Sequence, residues 1–185
     1  MNDRRDAFEA LFAEHHAAVL RYVERRVDDR EQARELTMDC FEIAWRRYDP
    51  AAPFRRPWLL QTARNLVGDS YRRRAREREG LRTLAAESDR ADATFQNVDL
   101  RLALRHLPDA DREILELFYW DGLSASEIAE VVGCRTSAAW KRLSRARDAL
   151  RSLLEEPRKP DAGSAPTRSA PARQMGGGAM GYVVD

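Results

Sequence analysis

Residues 107–153 carry the pattern that most restricts what this chain can fold into. Apolar residues recur at helical spacing after Leu107-Pro108, again after Leu123-Ser124, and a third time after Thr136. The last two runs are separated by a single glycine, Gly133. Short helices joined at a residue that tolerates positive φ make a helix-turn-helix. Ser124 and Glu127 have the spacing of a capping box, and Asp109 is a candidate cap one helix earlier. The final helix is expected from about Thr136 to Leu153. It is basic, as a helix entering a DNA groove must be to meet phosphate charge.

Net charge is only +1, so overall charge does not identify a polyanion binder, but its distribution is uneven. Residues 46–78 hold ten arginines against Asp49, Asp69 and Glu77. Residues 134–151 hold six basic side chains against Asp148 alone. Between them, residues 99–130 hold eight acids against Arg101, Arg105 and Arg112. Two basic stretches flanking an acidic one suggest two contact points on a nucleic acid, although any single charge run also fits a solvated helix face.

The amino-terminal half is helical too. Phe8, Leu11, Phe12, His15, Val19, Tyr22 and Val23 form one apolar stripe, with His15 as a core or boundary histidine. Asp28-Asp29 can cap a second helix with Ala33, Leu36, Cys40, Ile43 and Ala44 inside. The prolines after Tyr48 break it. A third helix is expected from Arg55 to Glu79, with Pro57 in its first turn and Trp58, Leu59, Ala63, Leu66 and Val67 inside. Periodicity fades from Gly80 to Thr94, which reads as a tether, and returns from Phe95. After Glu156 the chain is rich in Pro, Gly, Ser and Ala and reads as disordered. Its end, Met180 to Asp185, is either a short docking or degradation peptide or an untethered tail.

Cys40 and Cys134 stand far apart in apolar surroundings, as small buried residues do. There is no CxxC, no HExxH, no P-loop and no Ser/His arrangement, so neither a metal, a cofactor nor an enzyme is expected. The start lacks a signal-peptide core and no apolar run approaches membrane-spanning length, so a soluble, cytoplasmic protein without membrane insertion is expected.

Two constellations carry the functional expectation. In the first, Arg135, Lys141, Arg142 and Arg145 can reach phosphates or guanine edges, and Thr136 and Ser137 lie at a helix N-terminus that favours phosphate. Ala138 and Ala139 permit close approach, Leu143 and Ala146 pack inward, and Trp140 either packs or lies against the groove wall. The second is WLLQTARNLVGDSYRRR, residues 58–74, with the loop before it. Arginines interleaved with aromatics suit single-stranded DNA, where cations follow the backbone and exposed rings stack on bases. Asn65 can read the edge of an unstacked base. Trp45 and Trp58 are expected in the core, Tyr48 and Phe54 exposed.

These motifs resemble the bacterial sigma-70 family, specifically its small extracytoplasmic-function (ECF) group of RNA polymerase sigma factors. ARELTMDCFEIAW at 33–45 is similar to the family's A-E-D-L-x-Q-E-x-F-x-x-A-W, and residues 58–74 to W-L-x-x-I-A-R-N-x-x-x-D-x-x-R-R. Residues 107–147 are similar to the family's fourth region. The resemblance covers residues 5–154 in order. It implies an all-α protein of two small helical domains. These are a region 2-like bundle at 5–79 and a region 4-like helix-turn-helix domain at 95–154, joined by a flexible linker at 80–94 and followed by a disordered tail at 155–185.

The resemblance also implies partners: core RNA polymerase through the β′ clamp helices and β flap, promoter DNA, and an anti-sigma factor where one exists. Glu35, Met38, Asp39 and Glu42 would dock on the clamp. Tyr48, Phe54, Arg64, Asn65, Asp69, Arg72, Arg73 and Arg74 would engage the −10 element. Arg135, Thr136, Ser137, Ala138, Trp140, Lys141, Arg142 and Arg145 would read the −35 element. Met38 stands where the family usually has Gln, Glu35 where Asp is common, and Trp140-Lys141 where Lys-Ser is frequent. Competing readings are a stand-alone helix-turn-helix repressor, an interaction protein without DNA recognition, and a nucleic-acid-processing enzyme.

Overall fold

Local signals set where each helix begins and ends in the computed structural model, which describes residues 2–80 and 98–155. Those residues form α1 (Asn2–Glu24), α2 (Arg30–Arg47), α3 (Arg56–Gly80), α4 (Val98–His106), α5 (Asp109–Tyr119), α6 (Ala125–Val132) and α7 (Thr136–Glu155), with no strand among them. The Asp29 side chain caps α2 by accepting from the Glu31 N–H at 3.0 Å. Pro57 is buried in the first turn of α3, where a missing N–H costs nothing. The expected capping box opens α6: Ser124 Oγ accepts from the Glu127 N–H at 3.3 Å, and Glu127 Oε2 accepts from the Ser124 N–H at 2.8 Å. Gly133 closes α6 at φ +71°, a left-handed conformation that a side chain would strain.

One capping expectation is corrected. Asp109 is the first residue of α5, not its cap; Pro108 holds the cap position and makes no side-chain capping bond. Asp109 pairs instead with Arg112, one turn on.

Helices α1, α2 and α3 pack as a three-helix bundle. Val19, Tyr22, Val23, Ala33, Cys40, Ala44, Leu59, Leu60 and Ala63 are fully buried there. Leu36, Val67 and Phe41 are nearly so, while Ile43, Trp58 and Leu66 are half-buried. In the second unit α7 packs on α4, α5 and α6, burying Leu104, Ile114, Leu115, Leu117, Ile128, Val131, Leu143 and Ala146. His15 is a boundary residue, half-buried, and burial lowers its pKa. Cys40 is buried and its thiol is pushed up to about 12 by desolvation, whereas Cys134 is half-buried.

The two units are not apart. Helix α3 packs against α6, and α5 faces the end of α1 and the middle of α3. The residues expected to form the tether, 80–94, and the tail, 155–185, lie outside the described residues apart from their first positions.

Candidate nucleic-acid interface

The helix-turn-helix is built as its sequence suggests. α6 ends at Gly133, whose N–H bonds Ala129 O, and α7 starts three residues later. Arg135 O accepts from the N–H groups of Ala138 and Ala139 at 2.9 and 3.0 Å, closing the first turn of α7. Arg135, just before that helix, and Thr136, Ser137, Trp140, Lys141 and Arg145 on it are exposed, and Ala138 and Arg142 half-buried. Trp140 is 53% exposed, which resolves its ambiguity towards the outer face. Ala139 is turned into the core at 1% exposure, so it does not offer the close approach expected of it.

The basic residues of this stretch divide into two kinds. Arg147 is folded inward, its guanidinium 4.5 Å from the Phe118 ring centroid and 5.4 Å from that of Tyr119. Arg151 pairs with Asp148 at 3.1 Å. Arg135, Lys141, Arg142 and Arg145 make no carboxylate pair among the described residues. Four uncompensated cations on one exposed helix face are what a polyanion requires.

In the first unit, Asn65, Asp69, Arg72 and Arg73 are exposed and share one stripe of α3, whereas Arg74 is half-buried on another side of the helix and does not join them. Arg72 pairs with Asp69 at 2.6 Å. The aromatic expectations are partly overturned. Tyr48 is 6% exposed, its ring edge-on to Phe8 at 5.2 Å, because the loop after α2 folds back over α1. Phe54 is half-buried and stacks on Trp58 at 3.8 Å and 10°. Trp45, expected inside, is 37% exposed, with Arg4 over its ring at 4.3 Å. Glu35, Met38, Asp39 and Glu42 form a separate exposed stripe on α2, with Met38 53% exposed.

Sequence reasoning missed the residues between the two units. Arg64 donates to both oxygens of Glu113, Nε at 3.0 and 3.2 Å and Nη2 at 3.1 Å. This hydrogen bond is the main reason its pKa is raised. Tyr22 Oη donates to the same carboxylate at 3.0 Å. Arg26 Nη2 lies 2.9 Å from Glu116, and Arg25 Nη2 2.6 Å from Asp121. Burial opposes the charge of Arg26, but Tyr22 and the carboxylates Glu116, Glu113 and Asp121 outweigh it and its pKa rises. Arg55 reaches Glu130 at 2.7 Å on the exposed rim. The only advance signal was charge: paired arginines ending α1 and acids three apart on α5, a pattern equally typical of solvated faces. A cleft of about 420 Å³ remains between the units, lined among others by Arg64, Asn65, Arg72, Arg112 and Glu113.

Two all-helical units, one a helix-turn-helix with an unpaired basic face and the other carrying an arginine-rich stripe, define a bipartite DNA-binding protein. The family models agree unit by unit. Sigma-70 region 2 matches residues 11–77, and Sigma-70 region 4 matches residues 97–150. RNA polymerase sigma factor CarQ of Myxococcus xanthus is 34% identical over 160 residues, covering 82% of this chain and 91% of that one. ECF RNA polymerase sigma factor SigL of Mycobacterium tuberculosis is 29% identical over 157 residues, covering 80% and 88%. The sigma factor RpoE from Bartonella quintana, solved in complex with the anti-sigma factor NepR, shares the fold. Its TM-score is 0.62 at 23% identity, covering 82% of this chain and 98% of that one. The chain belongs to the sigma-70 family of RNA polymerase sigma factors, in its ECF group, and acts in transcription initiation.

Proposed function

We propose that α7 reads the −35 element as intact duplex while α3 and the loop before it hold the −10 element as an opened strand. The family limits 11–77 and 97–150 fall inside the two working units we assign, 5–79 and 95–154. Arg135, Thr136, Ser137, Ala138, Trp140, Lys141, Arg142 and Arg145 form the upstream contact. Arg64, Asn65, Asp69, Arg72, Arg73, Arg74 and Phe54 form the downstream one. The observation that carries this reading is the division of cations along α7 and the residue before it: Arg147 serves the core, while Arg135, Lys141 and Arg145 are exposed and Arg142 half-buried, none with a carboxylate partner among the described residues.

In this reading Glu35, Met38, Asp39 and Glu42 bind the β′ clamp helices, and the second unit meets the β flap. A polar stripe with one exposed methionine suits docking, since methionine adapts to the opposing surface. Promoter opening then needs only a trap for unstacked bases, and bond-making belongs to the polymerase. This reading places the protein in the cytoplasm with polymerase. No described helix is long and apolar enough to cross a membrane. An anti-sigma factor is a further partner in this reading, supported by the RpoE–NepR complex.

Transcription with purified core polymerase on genomic fragments, with permanganate mapping of unpaired thymines, tests the assignment. Start sites that depend on this chain and reactive thymines near −10 are expected. A specific footprint by the chain alone, unaffected by core enzyme, would favour a repressor instead.

A further inference from the structure

We propose that Arg4 is a positioning residue for the −10 contact: from the first turn of α1 it caps the end of α2 and fixes where the loop at 48–55 begins. The proposal rests on the assignment of that loop and α3 to the opened −10 strand. Arg4 Nη2 donates to Trp45 O at 2.7 Å and Nε to Tyr48 O at 3.2 Å. Its guanidinium lies 4.3 Å from the centroid of the Trp45 ring. A helix end leaves carbonyls without intrahelical donors and a partial negative charge that favours a cation. Here the cation comes from another helix, 44 positions before Tyr48. Sigma-70 region 2 matches from residue 11, so Arg4 precedes the part of the chain that the family pattern covers.

The cap is the first of several holds on the loop. Phe8, one turn after Arg4 on α1, meets Trp45 and Tyr48 edge-on at 5.0 and 5.2 Å. Tyr48 faces Phe54 at 6.4 Å, and Phe54 stacks on Trp58 in the first turn of α3. Between them Asp49 Oδ1 accepts from the Ala51 N–H at 2.9 Å, and Asp49 O from the Ala52 N–H at 3.0 Å, closing a turn. Pro50 and Pro53 fix φ within the same stretch. Residues 49–53 are exposed, so the tip is open to solvent while both ends are held.

A loop held in one shape can capture an unstacked base without first being ordered. Arg4 secures the end of the loop that leaves α2. It is itself exposed, and its bonds go to backbone carbonyls at the rim of the bundle rather than to the fully buried side chains. Its loss should therefore free the loop without unfolding the unit. The role calls for arginine: Nε and Nη2 form one rigid edge that serves two carbonyls three residues apart, whereas lysine keeps the charge without the fork.

The test uses the full chain bound to core polymerase. The probe is a single-stranded oligonucleotide carrying the non-template −10 sequence of a promoter that the chain serves, with affinity read by fluorescence anisotropy. Amide hydrogen exchange at Tyr48, Ala51 and Ala52 of the free chain reports the loop directly. In R4A, exchange at these amides should quicken, and affinity for the oligonucleotide should fall about tenfold, as ordering one residue's backbone on binding would cost. Association with core enzyme and binding of the −35 duplex should stay native, which a general folding defect would not allow. R4K should follow R4A. R5A is the control, because Arg5 pairs with Glu9 on the surface and should change nothing. Unchanged exchange in R4A overturns the cap; quickened exchange with unchanged affinity overturns the positioning; native behaviour in R4K overturns the fork. Parallel loss of core association would place Arg4 with the α2 stripe and overturn the proposal. Failure of the −10 assignment would appear separately, in the native chain, as no preference for the −10 sequence over a scrambled one while R4A still quickens exchange.

Discussion

Replacing Arg145 by alanine should lower the salt dependence of upstream DNA binding by one phosphate's worth. Four cations near the start of α7, Arg135, Lys141, Arg142 and Arg145, have no carboxylate partner among the described residues. Each phosphate neutralised contributes ~0.9 to the slope of log affinity against log salt, so four give a slope of about −3.6. Between 50 and 200 mM salt that slope corresponds to roughly a 150-fold loss of affinity. With Arg145 removed the slope becomes about −2.7 and the loss roughly 40-fold. Fluorescence anisotropy of the full chain on a labelled −35 duplex measures both. The packing of α3 on α6 does not interfere, because this face of α7 is exposed. Arg147→Ala is the internal contrast. Its guanidinium lies over Phe118 and Tyr119, so the slope should hold and stability fall by ~1–2 kcal/mol. Equal changes of slope in the two variants would refute the division of cations. A loss in Arg145→Ala confined to one base pair, with the slope intact, would convert the residue from a backbone contact to a base reader.

Gly133→Ala should destabilise the second unit by ~1–2 kcal/mol, because φ is +71° and no atom lies within 4 Å of the added Cβ, leaving backbone strain as the whole cost; urea denaturation in which Gly133→Asn costs as much as alanine would contradict that. Asn65→Ala should impair −10 selection in transcription while leaving association with core polymerase intact, since Asn65 is exposed on α3, away from the α2 stripe; equal loss of core association would make it structural. The Ser124 hydrogen bonds lower the Glu127 pKa, so its contribution is full above the ordinary carboxylate pKa of about 4.3 and fades as pH falls through the lower folded value. The stability gap between the native chain and Glu127→Gln, measured by denaturation at several pH values, should therefore close in acid; a gap independent of pH would show that the box works without the charge.

Most of the helix boundaries were legible because they depend on neighbours in sequence. Asp29, Pro57, the Ser124–Glu127 box and Gly133 each act within one turn of their own position. The outward face of α7 was legible for the same reason: Leu143 and Ala146 fix which side is buried. What failed was one local choice and several long-range ones. Asp109 has a capping residue's chemistry, but Pro108 sets the backbone of that position first. Tyr48 sits among loop residues, yet Phe8, forty positions earlier, provides a surface that buries it. Arg147 was not among the residues expected on DNA, but its partner, the Phe118 ring of α5, could not be read from its neighbours. Helical spacing from Leu143 and Ala146 separates Arg145, outside, from Arg147, on the inner side, but not the ring that Arg147 meets.

The same reasoning explains why the acidic stretch was hard to interpret. Helices α5 and α7 belong to one small unit, so its acids and its bases are fixed on different faces by shared packing of Ile114, Leu117 and Leu143. One face is the one we propose for DNA, and the other meets the first unit. Both contacts are ionic, and salt weakens both. The consequences oppose each other: in the proposed reading low salt tightens α7 on DNA, while it also strengthens the Glu113–Arg64 contact to α3 and the Glu116–Arg26 contact to the segment after α1. Net promoter affinity should then vary less with salt than α7 alone would dictate, because each lost phosphate contact upstream is partly offset by a more accessible surface downstream. Removing Glu113 abolishes that compensation, so the E113Q chain should show the steeper salt dependence on a promoter carrying both elements. A slope no steeper than that of the native chain would mean that the two faces act independently.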